Sequence, residues 1–195
     1  MGLGQLPYRT LRPLIRDHLS RVEDSETTAL IERFRAARRR GYLTRSELVA
    51  ACRWKSPRSI GRVRLNQPRR IRAATSVALT AKSERDRIQA LTELQGVSVP
   101  SASAILTLLD PVRYGVIDIR VWQLLHRLGL VAGNPGGTGL THAHWEQFLA
   151  VVRQYASLFR VSARHIELTL FLIHREYQEE RLYRSGVRMA SRREA

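Results

Sequence analysis

The sequence predicts an all-α fold, on three observations. Apolar residues recur at three- and four-residue spacing along most of the chain. No stretch sustains the alternation of a half-buried strand, and helix start and stop signals fall between the apolar stripes. At 195 residues the chain is long enough to bury one good core, or two small lobes sharing a cleft.

Taken in order, Leu11, Leu14, Ile15 and Leu19 form a first stripe. Leu30, Ile31, Phe34 and Ala37 form a second, which Gly41 ends as its C-terminal glycine. Thr44-x-x-Glu47 is a capping box opening a helix through Leu48, Val49 and Cys52. Ser56-Pro57 breaks that run, with Pro57 suited to the first turn of a short helix, and Asn66-Gln67-Pro68 breaks it again. Two runs follow, Ser83 to Leu94 and Ser98 to Leu109. Trp122, Leu125 and Leu128 line the next helix. The glycine-rich stretch 133–139 is expected to be a flexible loop. Trp145, Phe148, Leu149, Val152 and Phe159 resume the helical period, and Ser162 is placed to cap a last long helix. Leu168–Ile173 is the densest apolar block, far too short to span a membrane and read as core.

Charge narrows the partner. The chain carries 33 Lys and Arg against 17 Asp and Glu, a net charge of +16, and Lys55 and Lys82 are its only lysines. A GC-rich coding bias accounts for arginine over lysine but not for the excess of base over acid, which implies a polyanionic partner. Cys52 is the only cysteine, so no intramolecular disulfide is expected and a cytoplasmic setting is natural. The N-terminal stretch lacks an uninterrupted apolar run, so a signal peptide is not expected.

Residues 91–125 are the most informative. Leu91, Leu94, Gly96, Val97, Ala102, Ile105 and Leu106 describe two helices joined by a tight hairpin, in which Gly96 permits a turn that a side chain would block. Pro111, Gly115 and Asp118 follow, and Asp118 stands at a helix start. The pattern resembles the helix-hairpin-helix motif with the Gly/Pro…Asp loop of the helix-hairpin-helix DNA glycosylase superfamily. The likeness is strong over residues 88–129.

The resemblance implies two helical lobes around a DNA-binding cleft. Residues 22–131 would form a helical barrel containing the hairpin motif (about 83–109). Residues 1–21 and 132–195 would form the second lobe. It implies a DNA N-glycosylase acting as a monomer on double-stranded DNA that carries a damaged or modified base, nucleoid-associated, in repair or in defence against phage with modified DNA. Amides of Gly96, Val97, Ser98, Val99 and Ser101 would face a phosphate. Asp118 would stabilise the positive charge that develops on the sugar. The other reading of Asp118 is a helix cap, and the two are compatible.

Trp54-Lys55-Ser56-Pro57-Arg58 corresponds to the segment that lines the superfamily's base pocket. Trp54 would stack on a flipped base, with Lys55 and Arg58 on DNA; the alternative is a core tryptophan with a solvated cationic rim. Tyr114 is a second pocket candidate, whereas Trp122 is read as core. Two departures matter. Bifunctional members carry a nucleophilic lysine where this chain has Pro100, which implies a monofunctional enzyme. Ser98 replaces the hairpin's second glycine, at a cost on the order of 1 kcal/mol if that residue is left-handed.

No cofactor is expected: one cysteine cannot hold a four-cysteine iron–sulfur cluster. His142 and His144 diverge by about 200° on a helix, so no metal is expected either. Arg38, Arg39, Arg40, Arg69, Arg70, Arg72 and the tail around Arg184, Arg188, Arg192 and Arg193 could touch phosphates or be solvated. The rival readings are a non-catalytic DNA-binding protein that keeps Asp118 as a cap, and a basic RNA-binding helical protein.

Overall fold

The structure, a computed structural model, describes residues 6–178. Ten α-helices are seen among them: α1 Leu11–His18, α2 Ser25–Arg40, α3 Arg45–Lys55, α4 Ile60–Val63, α5 Pro68–Thr80, α6 Glu84–Thr92, α7 Val99–Leu109, α8 Ile119–Arg127, α9 His142–Phe159 and α10 Ala163–Glu176. A 3-10 turn, Pro57–Ser59, joins α3 to α4. The all-α expectation holds, and no helix among the described residues is long and apolar enough to cross a membrane. The arginines of the tail from Arg184 onward lie outside the described residues.

Local signals set most boundaries. Gly41 takes φ 82° and returns its N–H to the carbonyls of Ala37 and Arg38. The Thr44/Glu47 capping box is formed in both directions. Ser162 Oγ accepts the His165 N–H at 3.0 Å and opens α10. Ser98 is extended, with φ −87° and ψ 170°, so serine there carries no left-handed strain. Stretch 133–139 departs from the expectation of a flexible loop. The Trp122 indole N–H donates to the Asn134 carbonyl at 2.8 Å, and the Gln123 amide donates to Gly136 at 2.9 Å. Its glycines supply positive φ at 133, 137 and 139 for a path pinned along α8.

One continuous apolar cluster runs through the described helices, from Leu11 and Phe34 to Trp122, Trp145 and Ile173. Every residue of α7 except Pro100 is buried, so α7 is the axis against which α2, α3 and α6 pack. An apolar helix buried on all faces holds its N-terminus at a fixed place.

The α6–α7 hairpin is clamped from one side. Buried Asn66 donates from Nδ2 to the carbonyls of Val63 and Gln95, and accepts the Gln95 N–H on Oδ1 at 2.9 Å. Gly96 has φ 77°, and a Cβ there would lie 2.9 Å from Val63 N and 3.0 Å from Ser59 O. The hairpin backbone therefore touches the Ser59–Val63 backbone directly, immediately after the Trp54–Arg58 segment.

Gly133 has the same sign of φ (73°), but a Cβ added there would meet nothing within 4 Å. Gly133→Ala should therefore cost only the left-handed penalty of about 1 kcal/mol. Gly96→Ala should add steric overlap and cost about 3 kcal/mol or more. Urea unfolding of both variants checks this; equal losses would mean that the close backbone approach does not matter.

Candidate functional site

The loop from Asp110 to Asp118 is built by fastening both of its sides. Ser103 Oγ, on α7, donates to the Pro100 carbonyl and accepts the Ile117 N–H at 3.1 Å. On the other side, the α10 amides of Ala163 and Arg164 donate to the carbonyls of Val112 and Pro111. Gly115 lies so close to α10 that a Cβ would stand 2.6 Å from Glu167 Cβ. The loop thus delivers Asp118 between α7 and α10.

Asp118 divides its carboxylate. Oδ1 accepts the N–H groups of Arg120 and Val121, both at 3.0 Å, and caps α8. Oδ2 faces Lys55 Nζ at 3.0 Å, from the last residue of α3. The capping reading of Asp118 is met, and Oδ2 remains outside the cap. Asp118 is nearly buried, yet it lines a cavity of about 910 Å³. At the cavity wall, that oxygen is held in an ion pair by the Lys55 ammonium.

The cavity gathers several of the residues expected from sequence. Trp54, Lys55, Arg58, Ser98, Ser101 and Asp118 all line it, as does Pro100. Trp54 is half-buried; its indole N–H donates to Thr27 Oγ1 at 3.0 Å, and that hydroxyl bonds Asp24 in turn. Gly96, Val97 and Val99 do not line the cavity. The Val97 N–H donates to the Leu94 carbonyl at 3.1 Å, so it closes the turn rather than facing outward, a correction to its expected role. Ser98 gives α7 no side-chain cap, and its Oγ lies 3.2 Å from Ser101 Oγ.

Tyr114 is corrected more fully. It is buried away from the cavity, stacked on Trp145 with centroids 6.2 Å apart, and its hydroxyl donates to Glu84 Oε1. The turn at Asp110–Tyr114, closed by Tyr114 N–H to Asp110 O, aims the ring toward α9. Trp122 is core, as expected. His144 Nδ1 lies 2.9 Å from Thr141 N and completes a capping box, while His142 Nε2 is 3.2 Å from Thr92 Oγ1. Among the described residues no cluster of three His, Cys, Asp or Glu could hold a metal ion.

Of the arginine clusters, Arg38 pairs with Asp110 at 2.9 Å and Arg40 with Glu47 at 2.5 Å. Arg72 lies over the Tyr42 ring.

Sequence reasoning missed the far wall. Arg164 grips Glu23 with Nε and Nη2, at 2.5 and 3.0 Å, and donates Nη1 to Glu167. Its guanidinium lies 5.5 Å from the Trp54 ring centroid. Burial opposes that charge, but the Glu167 and Glu23 carboxylates hold the guanidinium above its ordinary range. Arg120 and Phe171 complete this wall. No local pattern announces it, because Glu23 and Arg164 are 141 residues apart.

No protein-family model, curated protein or solved structure matches this chain.

Behind the wall, buried His174 pairs its Nε2 with Gln123 Oε1 at 3.0 Å. Burial, and then the Arg120 charge, push its pKa from 6.5 to about 4, against a smaller opposing pull from Asp118. A His depressed in the fold is protonated first in the unfolded chain. Stability should therefore fall as pH drops from 6.5 toward about 4, by up to roughly 3 kcal/mol at 1.36 kcal/mol per pKa unit. His174→Gln should flatten this part of the stability–pH profile in urea titrations; an unchanged acid slope would contradict it.

Proposed function

We propose that this chain is a monofunctional DNA N-glycosylase of the helix-hairpin-helix superfamily. It flips a damaged or modified base out of duplex DNA and hydrolyses its N-glycosidic bond. The observation that carries the reading is Asp118: one oxygen fixed by α8, the other turned to a cation at the wall of a large cavity. As the base leaves, the sugar becomes positively charged, and a fixed carboxylate stabilises that charge without reorganising. Water then adds its hydroxyl to the anomeric carbon, and its proton ends on the departed base.

Other features support the reading. Trp54 offers an aromatic face beside Lys55 and Arg58, suited to a flipped base and its neighbouring phosphates. Val99 and Ser101 lie in the first turn of α7, which has no side-chain cap, and amides there suit a phosphate. The charge of +16 suits a duplex partner. In this reading the hairpin belongs to a barrel of residues 22–131, with residues 1–21 and 132–195 forming the opposite lobe of the DNA cleft. Pro100 at the position of the superfamily's lysine leaves water as the nucleophile.

Asn caps helices about as well as Asp, so Asp118→Asn isolates the charge. Base release should fall roughly 10²–10⁴-fold with duplex affinity near wild type, while thermal stability falls because Lys55 loses its carboxylate partner. Release at the wild-type rate would reject the proposal. The wild-type product should be an abasic strand that breaks only on heating or in alkali, with little borohydride-trapped adduct. Efficient trapping would make Lys55 an amine nucleophile, since its Nζ is already 3.0 Å from Asp118.

A further inference from the structure

Two cavity-lining arginines, Arg120 and Arg175, lie over the Phe171 ring; Arg175 is exposed to solvent, whereas Arg120 is partly buried. Arg120 stands two residues after Asp118, in the first turn of α8, and lines the same cavity. Lys55 is paired with Asp118, and Arg164 with Glu23 and Glu167. Among the described residues the Arg120 guanidinium makes no hydrogen bond or ion pair, and its buried Nε has no partner. What holds it is the Phe171 ring, 5.4 Å from the guanidinium carbon, on the same cavity wall. Unpaired charge in a partly buried site is costly unless an anion completes it. Beside it, His174 is kept neutral and gives no second charge to share.

Breaking an N-glycosidic bond creates two charges. The electron pair of the C1′–N bond goes to the base, so an uncharged base departs as an anion while the sugar becomes a cation. Asp118 answers only the second. We propose that Arg120 is a catalytic residue that receives the negative charge of the departing base, and that the enzyme's substrates are therefore uncharged modified bases rather than cationic N-alkylated purines. A cationic purine leaves as a neutral molecule; it needs no cation and is repelled by one before the bond breaks. Asp118 and Arg120, both lining the cavity, then answer the two halves of the separating charge. Water supplies hydroxide to C1′ and a proton to the base nitrogen, which regenerates both side chains unchanged.

This inference rests on the glycosylase reading, and the test keeps the two apart. Wild type, Asp118→Asn, Arg120→Met and Arg120→Lys are compared on duplexes carrying one modified base each. The uncharged set is uracil, 5-fluorouracil, 5-bromouracil, 8-oxoguanine and 5-hydroxymethylcytosine with its glucosylated form; the cationic probe is 7-methylguanine. Wild type should release bases of the uncharged set and leave 7-methylguanine. Arg120→Met should slow that release about 10²–10³-fold, most for the least acidic leaving bases, so that rate depends more steeply on leaving-base acidity. Arg120→Lys should restore part of the rate, which a packing role against Phe171 would not require.

Affinity for undamaged duplex and its salt dependence should be unchanged in Arg120→Met. An equal loss of affinity on every duplex, with a shallower salt slope, would make Arg120 a phosphate contact and overturn the inference. Release of 7-methylguanine alone, or an Arg120→Met rate equal to wild type, would overturn it while leaving the glycosylase reading standing. Release that persists in Asp118→Asn, or no release from any duplex, would reject the reading itself and the inference with it.

Discussion

Asp118 can serve both a helix and a cavity only because its two oxygens face different ways, and the surrounding structure holds that division in place. Oδ1 is consumed by two α8 amides, which fixes the carboxylate plane. Oδ2 is then aimed where Lys55 meets it from α3. Remove either constraint and the carboxylate swings or loses its facing charge. A preorganised carboxylate of this kind stabilises a developing cation without reorienting at the moment of reaction.

Three connections bring the opposing surfaces to Asp118. Asn66 and the bare backbone at Gly96 lock the α6–α7 hairpin to the segment after Trp54 and Lys55. Ser103 ties the Asp118 loop to α7, and Gly115 lets the same loop lie against α10. The Glu23–Arg164–Glu167 cluster joins the approach to α2 with α10 and puts a guanidinium against Trp54. Each connection is a hydrogen bond to buried backbone, a buried ion pair or a contact that a side chain would fill. Small changes at Gly96 or Gly115 therefore act on the geometry around Asp118 rather than on chemistry directly.

What the sequence made legible was local. The Thr44/Glu47 box, the Gly41 cap and the Ser162 cap are decided within a few residues, and the helices begin and end there. The pairing of Asp118 with the Trp54–Arg58 segment was legible only through a family-like pattern, since 63 residues separate Lys55 from Asp118. Tyr114 shows the limit of proximity: four residues from Asp118, it is turned to Trp145 by a single backbone turn. Composition also misled at residues 133–139, where glycine marks positive φ on a pinned path rather than freedom. Nothing in the sequence sets Arg120 apart from the other arginines, because only packing brings its guanidinium over Phe171 with a buried Nε.

Mass spectrometry of the small molecules released from duplexes with defined modified bases tests the proposed glycosylase activity. A monofunctional glycosylase gives a free base in solution, matched one to one by abasic sites in an otherwise unbroken strand. Tight duplex binding with no free base from any substrate would contradict that activity, and would leave Asp118 a helix cap in a DNA-binding protein.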